Sequence, residues 1–299
     1  MRLFSTKKRP VHMGPYPTER LKRGGMPDLT AVPPMRALSF RRPEAPESIV
    51  NAMCEYQAML DAIRDGMINK AVSEIPVDPK ERTDHLKAFG FFSDASMVGV
   101  CRLQDTDLLS KPFNNPDIVH LAEALRTRQT KTLAAGIDGI MADLKESMEA
   151  PPTTINGHTH ALIFLYENPR DIRSDEPGTD WLKDALSHRA CLRANETAAV
   201  IANYIRLLGH DAKSHSESAS DVDLNQLAVT AGLVWCIKGQ LIAPYIGSGF
   251  GLAAVTCTLD LLVDRPLASE HEQPWFKTKG PAWWLGKGFS KNAMNRDPY

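Results

Sequence analysis

The sequence predicts a mixed α+β body with extended arms at both ends. Three observations carry this. Two apolar runs have strand length, Ser96–Leu103 and His160–Glu167, and the first is expected to be buried on both faces. Between and after them, apolar residues recur at helical spacing. The first 45 residues and the residues after Pro266 are rich in Pro, Gly, Lys and Arg and carry little periodicity.

Residues 1–45 read as an arm that wraps on the body or a partner, with Tyr16, Leu21 and Met35 as apolar anchors; a disordered tail is the alternative. A body over 46–266 follows. Pro46-Glu47-Ser48 opens a helix in which Ile49, Ala52, Met53, Tyr56, Met59, Leu60, Ile63 and Met67 are expected to form the core face. Pro76 and Pro79 end that region, and a short helix is expected near Glu81–Gly90. After the first strand, Asn114–Glu149 reads as mostly helical, stopped by Pro151-Pro152. Beyond the second strand comes a polar loop, Asn168–Asp180, then a long helix, Ala185–Leu208, with Gly209 as its C-cap. A short strand at Asp211–Ser214 and a helix over Val222–Leu233 follow. Leu241-Ile242 and Leu252–Leu259 are strand candidates, joined by a glycine-rich turn, Gly247–Gly251.

The segment 267–299 is a C-terminal arm or linker. It holds Trp275, Phe276, Trp283, Trp284 and Phe289, which suggest a clamp on another protein surface. Base stacking is the rival reading. The charge balance argues against nucleic acid: Lys+Arg 35 and Asp+Glu 36 leave a net charge of -1. The close at Arg296–Tyr299, with no helix or strand, is expected to be a cut inside a linker.

Hydrophobic residues are 43% of the 299 and charged residues 24%, which excludes wholesale disorder. No run of eighteen apolar residues occurs and no export signal is visible, so a cytoplasmic protein with no membrane contact is expected. The five cysteines, Cys54, Cys101, Cys191, Cys236 and Cys257, are widely spaced, as expected of reduced core thiols. Three candidate chemistries are visible and each is weak alone. His158 and His160 lie one residue apart on a strand and share a face, but no third metal ligand is evident. His188 and Cys191, at i and i+3, could pair as base and nucleophile. Gly247–Gly251 could approach a flat cofactor closely, yet lacks a P-loop or dinucleotide-binding context.

Several segments, taken in order, resemble the reductive dehalogenase family and, more distantly, epoxyqueuosine reductases. Met13-Gly14-Pro15-Tyr16-Pro17-Thr18-Glu19-Arg20-Leu21-Lys22-Arg23 resembles the family's entry arm. Asp84–Leu103 resembles its helix-then-strand unit, and Ile201–His210 its "LAEFIRxLGY". Ala231-Gly232-Leu233, Gly239, Leu241-Ile242, Pro244 and Gly247 resemble its glycine-rich segment, and Asp264-Arg265-Pro266 the "PDKP" that closes the module. The resemblance implies a nitroreductase-like, cobalamin-binding sheet flanked by helices. It also implies two four-iron clusters feeding electrons to cobalt, and a tyrosine that supplies a proton as halide leaves an organohalide. Gly232, Gly239, Pro244, Gly247, Gly249 and Gly251 are then the candidate corrin-side positions.

The departures are as informative. The clusters need C-x₂-C-x₂-C-x₃-C-P runs, and no cysteine follows Cys257. Cys191 stands at the family's tyrosine position. Val234-Trp235-Cys236-Ile237-Lys238 replaces a glycine-bearing stretch, and the family's two arginines fall at Gly249 and Gly251. Two expectations follow. In the first, the chain is the degenerate N-terminal module of a cytoplasmic reductive dehalogenase. It would hold no cofactor and no iron–sulfur cluster, and would pack on a catalytic cobalamin/iron–sulfur module, in the same polypeptide or a partner chain, as half of a pseudo-dimer. In the second, it still binds cobalamin, alone or with a cluster-bearing partner. A stand-alone small-molecule or interaction protein, homodimers included, is the remaining alternative.

Overall fold

A computed structural model describes residues 9–121, 154–169, 172–182 and 185–273. Helix α1 is Ile49–Ala62 and α2 is Pro79–Phe92. Strand β1, Met97–Arg102, precedes β2, Leu108–Phe113, and β3, His160–Glu167. A single turn, α3 (Thr179–Leu182), leads to the long helix α4, Ala185–Leu207. Strands β4 (Ala212–Ser216) and β5 (Ser220–Val222), helix α5 (Leu224–Thr230), and strands β6 (Trp235–Ile237), β7 (Gln240–Ile242) and β8 (Phe250–Cys257) complete the order.

The main sheet has the order β1-β3-β8-β4, with every pair antiparallel. It packs between two layers, and side-chain alternation sorts its residues. On one face, Met97, Ala161, Ile163, Leu165, Leu252 and Ala254 meet α5 and the arm residues Val32 and Met35. On the other, Val98, Val100, Leu162, Phe164, Ala253 and Val255 meet α2 and α4. Both apolar runs are therefore covered on both sides, as their lack of alternation requires, although the sheet is antiparallel.

The arm follows the body through three 3-10 turns. Leu21, Val32 and Met35 are buried, Tyr16 stacks on Tyr245, and Arg23 bridges to Leu267. Residues 267–273 are tied down as well: Gln273 Oε1 accepts from Lys22 N, and its amide donates to the carbonyls of Lys22 and Ala268. The clamp residues Trp275, Phe276, Trp283, Trp284 and Phe289 lie outside the described residues, as does most of the helix expected over Asn114–Glu149.

Several features differ from the sequence reading. Helix α1 ends at Ala62 and buries Val50, Cys54, Gln57, Ala58 and Asp61, so that Tyr56, Met59, Ile63 and Met67, expected in the core, are exposed. The expected helix over Val222–Leu233 spans only α5, because the Asp223 carboxylate caps it by accepting from Asn225 N and Gln226 N, while Val222 closes β5. Strand β8 begins at Phe250 rather than Leu252: Gly251 pairs with Tyr166 and Phe250 with Glu167, so the glycine turn is shorter than expected. Trp235–Ile237 forms a hairpin with β7, turned by Lys238 and Gly239, both at positive φ.

Polar groups stitch the far end of the sheet. Asp221 N donates to His215 Nδ1, and Thr256 Oγ1 lies 2.8 Å from His215 Nε2 and 2.7 Å from His158 Nδ1. The Asp221 N–H makes His215 Nδ1 an acceptor, so this imidazole is neutral and carries its proton on Nε2. Burial lowers the pKa of His158, His160, His188 and His215 alike, His188 to about 4. A folded pKa below the unfolded value means stability is complete above about pH 6.5 and falls as the unfolded chain alone takes up protons. His188→Gln is expected to flatten the acid limb between pH 6.5 and 4 by up to about 1.4 kcal/mol per pH unit. Urea midpoints measured across that range would show it; an unchanged slope would contradict it.

Candidate functional site

Of the family-derived positions, Gly251 and Cys191 meet at one end of β8, where it passes under α4. Helix α4 presents Ala190, Ala194, Ala198 and Ala202 to the sheet, all buried, and this four-residue spacing of small side chains permits close approach. The approach is closest at Gly251. A Cβ there would lie 2.5 Å from Cys191 N, 2.8 Å from Ala190 C and 2.9 Å from Cys191 Cα. The glycine is needed for contact between strand and helix backbones, and the space over it is filled by the chain itself.

Cys191 belongs to the same corner. Its thiol donates to Glu217 Oε2 at 3.2 Å, and Glu217 Oε1 accepts from Leu252 N at 2.8 Å. Burial and the neighbouring carboxylate raise the Cys191 pKa well above its ordinary value, and burial raises that of Glu217. A thiol held protonated against a buried carboxyl is a poor nucleophile. The pairing of Cys191 with His188 is not found. His188 instead stacks on Phe40, with ring centroids 4.3 Å apart, and its Nδ1 lies 3.9 Å from Cys54 Sγ. Cys54 is itself pushed up to about 11 by burial. Glu217 and Cys54 are the partners that sequence reasoning missed. Each is remote in sequence from the residue it contacts, and no local pattern signals it.

The other candidate positions do not converge on this corner. Gly232 adopts φ +66° after α5, where Arg23 Nη1 donates to its carbonyl; Arg23 and the Arg265 carbonyl occupy the space a Cβ would take. Gly239 is a hairpin residue with open space over it. Pro244 is buried in a turn closed by Ala243 and Gly247, the latter at φ +91°. A Cβ at Gly249 would stand 3.4 Å from the Asn168 amide nitrogen, an ordinary contact. Trp235 is 6% exposed; its indole N–H donates to Ala268 O, and the ring packs with Leu21 and Leu267. The indole thus joins both arms to the β6–β7 hairpin.

Gly251 is thus covered by the backbone of α4, and Gly232 by Arg23 and the Arg265 carbonyl. The five cysteines are all free and dispersed through the fold. No group of three or more His, Cys, Asp or Glu side chains is placed to hold a metal ion among the described residues, and His158 and His160 instead face Asp211 and Asp260 at 3.3 Å and 3.7 Å. No helix among those residues is long and apolar enough to cross a membrane.

One further buried cluster lies beside this corner, between α1 and α4. The Asp61 carboxylate, 2% exposed, accepts from Asn115 Nδ2, Asn195 Nδ2, Ser216 Oγ, Ser218 Oγ and, at longer range, Gln57 Nε2. Neutral donors from four separate segments replace its water shell.

No protein-family model matches the chain, and no curated protein does. Solved structures do. The catabolic reductive dehalogenase NpRdhA, in complex with 3-bromo-4-hydroxybenzoic acid, aligns at 30% identity and a TM-score of 0.69, over 94% of this chain and 34% of that one. A reductive dehalogenase structure described as suggesting a mechanism for B12-dependent dehalogenation aligns at 31% identity and a TM-score of 0.67, over 92% and 34%. The epoxyqueuosine reductase of Streptococcus thermophilus, at 13% identity and a TM-score of 0.39, is too remote to bear on function. In fold and sequence the chain is similar to reductive dehalogenases over nearly its whole length, and it spans about a third of theirs.

Proposed function

We propose that this chain is a degenerate corrinoid-type module of the reductive dehalogenase family, corresponding to the N-terminal module. It supports a catalytic cobalamin/iron–sulfur half and has no cluster of its own. Its antiparallel sheet, covered by helices on both faces, is read as the nitroreductase-like platform of that family, and its working compartment as the cytoplasm. The halogenated substrate and the electron supply belong to the other half.

The contact between Gly251 and the backbone of Cys191 carries the reading, because it fills the one place where a strand glycine of the resembling segment could have floored a corrin. The buried Cys191 thiol supports it: in place of a tyrosine beside a reacting centre stands a protonated group turned into Glu217. The cysteine count supports the missing clusters, since two four-iron clusters need eight thiolates and the sequence has five cysteines. After anaerobic reconstitution with iron and sulfide followed by desalting, the expected result is no bound iron and no acid-labile sulfide. About four irons per chain would overturn the reading and favour an electron-carrying subunit.

A further inference from the structure

We infer that the outward face of α1 and α4 is a self-association surface whose occupant is a second copy of this chain. On α1 and its C-cap, Tyr56, Met59 and Ile63 are exposed at helical spacing, opposite the buried face of Val50, Cys54, Gln57 and Asp61. On α4, Val200, Tyr204 and Leu207 form the matching stripe, on the side away from the sheet. The two helices run side by side in the same direction: Cys54 faces His188, and Asp61 accepts from Asn195 seven residues further along each. The chain leaving α1 then crosses to the end of α4, where Asn69 N donates to Arg206 O and Ser73 N to Leu208 O. Met67, 96% exposed, sits on that crossing and joins the two stripes.

The size and charge of this face favour a copy of the same chain. Each of these seven residues is 40% exposed or more, and together they expose an area on the order of the ~800 Å² per partner that a stable interface buries. Glu55 is the only charged residue at the exposed positions of α1, while Lys70, Glu74, Arg189 and Glu196 stand exposed at the rim, which is an apolar centre with a polar border. A net charge of -1 sets up no long-range repulsion between copies. Two copies related by a two-fold axis would lay the α1 stripe of each on the α4 stripe of the other. This surface does not depend on the proposed function.

Sedimentation equilibrium across micromolar concentrations tests it. The wild-type chain is expected to be dimeric. The double variant Met59→Lys, Tyr204→Lys is expected to raise the dissociation constant at least about tenfold. Phe92→Lys, at an exposed aromatic on α2, is expected to leave the dimer intact. Should the double variant fail to fold, amide exchange of the wild type gives a second reading: protection over 49–72 and 200–207 should rise with concentration. A chain that is monomeric throughout, or a dimer that the double variant and dilution leave unchanged over that face, would overturn the inference. So would a monomer that uses this face only for the catalytic portion of a reductive dehalogenase.

Discussion

Asp61→Ala is expected to destabilise the fold by about 4 kcal/mol, since it strands several buried donors at once. Asn115 Nδ2 and Asn195 Nδ2 each donate at 2.8 Å, Ser216 Oγ at 2.7 Å and Ser218 Oγ at 2.5 Å, all buried. The serines can rotate their hydroxyls to other acceptors, but the amides cannot. The cluster joins α1, the 115 turn, α4 and the β4–β5 connection, so its loss acts on the seating of α1 as well as on local hydrogen bonding. Asp61→Asn is expected to cost less, because its carbonyl oxygen still accepts and the Ser218 hydroxyl can turn to receive the new N–H. Urea unfolding of the three proteins checks this. A loss below about 1 kcal/mol for Asp61→Ala would mean that water reaches the cluster and replaces the missing acceptor.

Gly251→Val is expected to cost about 3 kcal/mol, near the upper end for overpacking a core. The obstacle on the helix side is backbone, at 2.5 Å to 2.9 Å from the added Cβ, and backbone cannot turn aside as a flexible side chain could. Relief requires α4 to lift from β8, which would also pull Cys191 from Glu217. Gly251→Ala should already show most of the loss, since the clash begins at Cβ. Stability within about 0.5 kcal/mol of wild type would show that the helix does not rest on this glycine and that the strand has an open face there.

The sheet is legible in the sequence because Met97–Arg102 and His160–Glu167 are apolar at successive positions, and only strands covered twice read that way. Helix α4 is legible from its alanine and isoleucine spacing. Strands β2 and β5 are not: Leu108–Phe113 contains Lys111 and Pro112, and β5 is only three residues long, so neither shows a strand pattern. The family resemblance cannot tell a glycine that floors a cofactor from one that seats a helix. Gly251 and Gly239 look alike in sequence. One lies under a helix backbone and the other turns a hairpin into open space. Trp235 shows the same limit. Its bulk is evident from the sequence, whereas its partners Leu21, Leu267 and Ala268 come from both arms and emerge only in the fold.

A degenerate module should be unable to take up a corrin ring. The direct measurement is an absorbance spectrum of the purified chain after incubation with excess hydroxocobalamin and desalting. The expected spectrum shows protein absorbance alone, because α4 closes the floor at Gly251. A corrin band retained in one-to-one proportion with the chain would contradict the account.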